Sequence, residues 1–174
     1  IYGIAKTSLY HVCNYYRSTY NLKIYNSIFY NHESPRRSEE YVTKKIVKKA
    51  CSIKINNDKK LELGDINIKI DWGHAKDYVE AAWQIMQLKD PDIFIISSGK
   101  LTSVKNFCKL VFDYLKLDYK KYLKINKKFI RPSKTSNLFG DFSKAGRVFN
   151  YKPKTDIKKL VKIMVDDELQ KYNR

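Results

Sequence analysis

The chain has 174 residues, a formal net charge of +17 and 43% hydrophobic side chains. That length and apolar content suit one globular domain with its own core and exclude a disordered chain. No stretch approaches the ~20 apolar residues of a membrane span, and the start lacks the basic-then-apolar layout of a signal peptide, so a cytoplasmic location is expected.

In chain order, Leu9, Val12, Cys13, Tyr16 and Tyr20 recur at helical spacing and predict one amphipathic helix over 2–20. LKIYNSIFY (22–30) is β-branched and aromatic and predicts a buried strand. NHESPRRS (31–38) is a polar loop stiffened by Pro35, and 39–53 is a helix. ELGDINIKI (62–70) is extended, and HAKDYVEAAWQIMQL (74–88) is a helix that stops before Asp90-Pro91. DIFIISSG (92–99) is a strand that runs into a loop. Thr102 or Ser103 caps the next helix, whose inner face is Val104, Phe107, Cys108, Val111, Phe112 and Leu115. KKFIRPSKTSNLFGD (127–141) is irregular, and 142–149 is a short helix. Thr155 or Asp156 caps a last helix that buries Ile157, Leu160, Val161, Met164 and Val165.

Helices alternate with strands, which predicts an α/β fold in one domain without an internal repeat. The series opens in mid-pattern on a helix, with few strands for a self-contained sheet, so this domain is expected to be partial.

The basic charge raises a nucleic-acid face as one reading. Lysine carries most of it, however; the arginines are Arg17, Arg36, Arg37, Arg131, Arg147 and Arg174. The lysines are scattered over the whole length, so a solvated basic surface is the preferred reading. Cys13, Cys51 and Cys108 are odd in number and far apart, which predicts buried thiols and no disulfide or metal role.

Four segments have residue types suited to chemistry. Tyr2 and Lys6 stand four residues apart on one helix face. A lysine cation beside a phenol favours the phenolate, which makes tyrosine a usable base near neutral pH. Tyr41 and Lys45 repeat that spacing, so spacing alone reads as an ordinary surface pair. NHESPRR follows a strand, where ligands of α/β folds sit. It offers the amide of Asn31, the ring of His32 and the guanidinium forks of Arg36 and Arg37. In DWGHAKDY (71–78), Asp71, His74 and Asp77 do not fall at a metal-ligand spacing, and a capped helix start with a packed Trp72 is preferred; no metal is expected. Arg131-Pro132, with GDFSKA (140–145) and NYKP (150–153) beyond it, suits a held diphosphate.

Taken in this order, YGIAK, NHESPRR, VTKKI (42–46), DWGHAKDYVEAAW (71–83), RPS, LFGDFSKA and NYKP resemble the GDP-mannose 4,6-dehydratase family of extended short-chain dehydrogenases/reductases. The resemblance spans about residues 2–172. It implies the C-terminal part of an NAD(P)-binding Rossmann-like α/β enzyme with its smaller substrate-binding region. The family's Gly-rich NADP turn and its Thr/Glu pair lie upstream of the Tyr-x-x-x-Lys helix, and no G-x-x-G-x-x-G occurs here.

By the same resemblance, Tyr2 is the catalytic base for the sugar 4-hydroxyl, and Lys6 lowers its pKa and binds the nicotinamide ribose. Tyr2, Lys6, His32 and Arg37 match cofactor-binding positions for NADP. Asn31, Lys45 and Arg131 match positions that hold the substrate, GDP-mannose, with Arg131 on its diphosphate. The implied reaction yields GDP-4-keto-6-deoxymannose, and a homo-oligomer is the implied assembly. The piece alone is expected to be inactive, because the family's acid/base glutamate is not in it.

Two positions depart from the family pattern. Ile70 stands where the family has arginine before DWGH, and Lys134 stands where it has glutamate after the Arg-Pro arginine. Lys69 is adjacent but alternates to the other face of an extended segment. These departures motivate a rival reading, another nucleotide-sugar dehydratase or epimerase; a basic nucleic-acid-binding module is the rival of a different class.

Overall fold

Three helices of this chain stop on an asparagine in the left-handed conformation, Asn21, Asn57 and Asn150, at φ values of 52°, 55° and 56°. The short polar side chain tolerates that region, so each asparagine ends its helix where a glycine would otherwise serve. The computed structural model describes residues 1–130 and 137–172.

The order of elements is α1 (Tyr2–Tyr20), β1 (Asn26–Phe29), β2 (Asn31–Glu33), α2 (Val42–Asn56), β3 (Leu61–Leu63), β4 (Lys69–His74), α3 (Ala75–Met86), β5 (Ile93–Ile96), β6 (Leu101–Ser103), α4 (Val104–Tyr114), α5 (Tyr119–Tyr122), β7 (Leu123–Ile125), a 3-10 turn at Lys127–Phe129, α6 (Ser143–Phe149) and α7 (Ile157–Tyr172). The strands form three small sheets. β1 pairs parallel with β5, from Asn26 opposite Ile93 to Phe29 opposite Ile96. β4 lies between a parallel β2 and an antiparallel β6. β3 pairs parallel with β7.

Two clusters of buried side chains hold these elements. In the larger, α2, α4 and α7 pack on one another through residues such as Ile46, Val47, Phe107, Phe112, Leu160 and Met164. The indole of Trp72 joins this cluster against Phe107, ring centres 5.2 Å apart. The smaller cluster joins α3 to β5 and α6 through Tyr78, Ala81, Ile85, Phe94, Ile96 and Ala145. Ser103 caps α4 by accepting the N–H of Asn106 at 3.0 Å, and Asp156 accepts the N–H of Lys159 at 2.8 Å at the start of α7.

The long helices and β5 fall where the sequence places them, and the parallel pairings carry the α/β class. Four local expectations change. The strand in LKIYNSIFY begins only at Asn26, and its adjacent Ile28 and Phe29, which point to opposite faces, are both exposed; β1 has one neighbour and an open second edge among the described residues. NHESPRRS is not all loop: Asn31, His32 and Glu33 pair with Trp72, Gly73 and His74. The apolar face of α1 is uncovered, with Leu9, Val12, Tyr16 and Tyr20 exposed and Cys13 only half-buried. Cys51 and Cys108 are buried as expected. Among the described residues, no helix is long and apolar enough to cross a membrane.

Candidate active site

Tyr2 and Lys6 occupy the first turns of α1, with the Lys6 ammonium 5.5 Å from the centre of the Tyr2 ring. Both are exposed. The repeat of that spacing behaves differently. The Tyr41 ring carries the Arg37 guanidinium at 3.4 Å, while the Lys45 ammonium lies 4.3 Å over Phe129. Tyr41 and Lys45 share a helical turn but point to separate partners, so only the first pair joins phenol to ammonium.

β2 and the turn after it place the NHESPRR side chains. Asn31 and Glu33, two apart on the strand, face the same way and both line one cleft, Asn31 exposed and Glu33 fully inside, with His32 turned to the other face. The His32 Nδ1 sits 2.9 Å from the Tyr30 carbonyl, a pairing that makes Nδ1 the protonated nitrogen and leaves Nε2 free to accept. The His32 ring is wedged against Tyr78 and Phe29, at 5.1 Å and 5.9 Å between centres. Glu33 accepts the Thr43 hydroxyl at 2.6 Å and faces the Arg37 Nε at 3.3 Å. Burial raises the Glu33 pKa above the ordinary glutamate value, against the pull of Thr43 and Arg37.

A cleft of about 780 Å³ opens over this region and is lined by Asn31, Arg37 and Lys45, with Tyr41, Trp72 and Phe129 as aromatic lining. Lys128 adds a third cation, and Glu33, Glu40 and Asp65 line the cleft as well, so a phosphate would meet Arg37 and the lysines while the aromatic surface suits a planar ring. A second cleft of about 620 Å³ shares Lys45 and Phe129 with the first. Its other lysines are matched by carboxylates: Lys48 with Glu39, Lys49 with Asp58, Lys60 with Glu62. Ile70 also lines the first cleft, while Lys69 is exposed and off its wall. Tyr2, Lys6 and His32 are not part of this lining among the described residues. Arg131 and Lys134 lie outside the described residues.

The two aspartates of DWGHAKDY are anchors for backbone. The Asp71 carboxylate accepts four donors: the N–H and hydroxyl of Ser98 at 2.9 and 2.5 Å, and the N–H groups of Gly99 and Gly140 at 3.0 and 3.1 Å. Asp77 accepts the N–H groups of Lys154 and Thr155 at 3.1 and 3.0 Å. These bonds fix GDFSKA and the segment after NYKP against β4 and α3. Burial lowers the pKa of His74 between them.

Sequence reasoning did not find the roles of Glu33, Thr43 and Lys44. Glu33 gave no readable signal, since alternation along the strand puts it on the same face as the exposed Asn31. Lys44 had none, because its partner Glu168 lies 124 residues away.

A family model described as GDP-mannose 4,6 dehydratase matches residues 1–164. The chain belongs to the GDP-mannose 4,6-dehydratase family. It is 43% identical to GDP-mannose 4,6 dehydratase 1 of Arabidopsis thaliana over 159 residues, covering 91% of this chain and 44% of that one. It is 36% identical to the Homo sapiens GDP-mannose 4,6 dehydratase over 191 residues, covering 99% and 51%. The chain therefore spans about half the length of these curated relatives. Among solved structures it is similar to RMD from Pseudomonas aeruginosa complexed with NADPH, at a TM-score of 0.89 and 16% identity over 98% of this chain and 56% of that one. It is also similar to dTDP-glucose 4,6-dehydratase from Bacillus anthracis in complex with NAD, at 0.85 and 17% over 99% and 53%. For this member of the GDP-mannose 4,6-dehydratase family, those likenesses show the α/β fold that it shares with these two structures.

Proposed function

We propose that the protein containing this chain dehydrates GDP-mannose to GDP-4-keto-6-deoxymannose, a lyase reaction with NADP as its bound cofactor. The observation that carries this reading is the cleft that Asn31, Arg37 and Lys45 line together, inside a chain of this family. The residues present fit the cofactor's needs. The phenol and ammonium of Tyr2 and Lys6 pair on an open face, and His32 holds a fixed tautomer with one nitrogen to spare.

In this reading Tyr2 takes the proton of the sugar 4-hydroxyl. Lys6 stabilises the phenolate that makes this transfer feasible and holds the nicotinamide ribose. His32 and Arg37 hold the cofactor, and Arg37 reaches the cleft wall, where a phosphate meets its guanidinium. Asn31 and Lys45 orient the GDP-sugar, and Arg131 holds its diphosphate. NADP, held there by Tyr2, Lys6, His32 and Arg37, would supply a reversible hydride acceptor for the sugar. The elimination of water needs an acid/base carboxylate, which we assign to sequence outside these 174 residues, together with the Gly-rich dinucleotide turn. The open edge of β1 and the uncovered face of α1 are where that remaining part would attach.

Titration of the chain with GDP-mannose, dTDP-glucose and a short RNA tests the reading. Binding of GDP-mannose in preference to dTDP-glucose is expected. Preference for dTDP-glucose would favour the rival nucleotide-sugar enzyme, which Ile70 on the cleft wall motivates. Tight RNA binding with a steep salt dependence would replace both. Turnover of GDP-mannose by the chain alone would refute its dependence on the missing carboxylate.

A further inference from the structure

Consecutive residues at the start of α2 grip the NHESPRR segment at two points. Side chains one apart on a helix diverge by roughly 100°, so neighbours can hold different things. Thr43 donates to the buried Glu33 at 2.6 Å. Lys44 donates to the carbonyl of Pro35 at 2.9 Å, just before the two arginines. Lys44 is itself buried, its side chain 4% exposed, and a buried ammonium requires an anionic partner. That partner is Glu168 on α7, at 2.7 Å and 5% exposed. Lys171 also approaches Glu168, at 3.1 Å.

The geometry creates a chain of contacts from α7 to the cleft. Glu168 fixes the Lys44 ammonium, and the ammonium fixes the Pro35 carbonyl. The next turn carries Arg37, whose guanidinium is set between Glu33 and the Tyr41 ring. Local backbone bonds are few here: the Arg37 N–H reaches the Ser34 carbonyl at 3.0 Å, and the Tyr41 N–H reaches the Ser38 carbonyl at 3.2 Å.

We propose that Glu168 is a positioning residue for the cleft: through Lys44 it sets the Pro35 turn and so the placement of Arg37 towards a nucleotide phosphate. This rests on the reading of the cleft as a nucleotide site. A pair that merely stabilises the fold would leave affinity untouched once stability is restored. Replacing a buried pair by apolar side chains often does restore it, whereas the Pro35 carbonyl would still lose its donor.

The test compares the chain with Lys44→Met/Glu168→Leu, Glu168→Gln and Lys44→Arg. It reads the melting temperature, amide exchange at Arg37 and Tyr41, and NADP affinity by calorimetry. The double variant is expected to melt within a few degrees of the parent, with exchange at those two amides faster by about tenfold and NADP affinity weaker by about tenfold. Lys44→Arg, which can serve both acceptors, is expected to stay within about twofold of the parent in affinity. A folded double variant with unchanged exchange and affinity overturns the proposal. Should that variant fail to fold, Glu168→Gln decides by the same two readings, faster exchange supporting the proposal and unchanged exchange overturning it. Should the parent not bind NADP, the nucleotide reading of Arg37 fails, and exchange at Arg37 and Tyr41 alone settles whether Glu168 holds the turn.

Discussion

The carboxylate of Asp71 on β4 accepts the backbone N–H of Gly140 at 3.1 Å, joining segments 69 residues apart. With its three donors from Ser98 and Gly99, the side chain ties the end of β5 and the LFGDFSKA segment to the centre of the β2–β4–β6 sheet. Asp71→Asn keeps the shape but presents an amide NH2 to groups that are themselves donors. At least one buried N–H then lacks an acceptor, at a cost of about 3 kcal/mol. Urea unfolding should show that loss as a lower midpoint with an unchanged slope. A midpoint equal to the parent's would contradict the anchoring role.

Arg37 holds its place by two contacts of different kinds, the ion pair with Glu33 at 3.3 Å and the stack on Tyr41 at 3.4 Å. Arg37→Lys keeps the charge but not the planar face or the fork that matches phosphate. Affinity for NADP should fall about tenfold, or ~1.4 kcal/mol, while the melting temperature moves by only a few degrees. Calorimetric titration of both proteins gives the comparison. Equal affinity would place the phosphate elsewhere.

The long elements were legible because one side of each is buried at a regular period. Val104, Phe107, Cys108, Val111 and Phe112 on α4 are all inside, as their spacing predicts. Three-residue strands such as β6 and β7 carry too few residues to show any period, and neither was foreseen. α1 shows the opposite limit. Its apolar spacing predicts the helix correctly, yet none of its residues is buried among the described ones. A pattern tells which face wants cover, not what covers it. The candidate site divides in the same way. Asn31, Arg37 and Lys45 were readable as ordered motifs, and the cleft unites them. Glu33, Lys44 and Glu168 support them from within, Glu33 through Arg37 and Thr43 nearby and Lys44 through Glu168, 124 residues away, and no periodic pattern records these pairings.

The thiols should separate by burial. Burial pushes Cys51 and Cys108 up to about 12, and both are enclosed in the α2–α4–α7 core. Cys13 is half-buried on α1. Since the thiolate is the reactive form, a maleimide at about pH 8 should label Cys13 alone in the folded chain, with the other two reacting only in denaturant. Mass spectrometry of the labelled peptides reads the result. Rapid native labelling of Cys108 would show that the core opens easily.

The pH dependence of stability should include a contribution from His74, whose ring is half-buried where β4 turns into α3. Burial lowers its pKa below the ordinary 6.5, Lys76 and Lys159 add to that, and Asp77 opposes it. The unfolded chain therefore binds a proton at higher pH than the folded chain does. Above about pH 6.5 both forms are neutral and nothing is lost. As pH falls from there to the lowered folded value, unfolding gains the proton and stability declines. Glu33 works the other way: burial raises its folded pKa, so the folded chain takes up a proton first, and acidification through that raised value towards 4.5 adds stability. Melting temperatures of the parent, His74→Gln and Glu33→Gln, taken from about pH 8 down to about pH 4, separate the two. His74→Gln should flatten the decline just below pH 6.5, and Glu33→Gln should steepen the net fall at lower pH. Identical profiles for the parent and His74→Gln would mean that the ring titrates as freely in the folded chain as in the unfolded one.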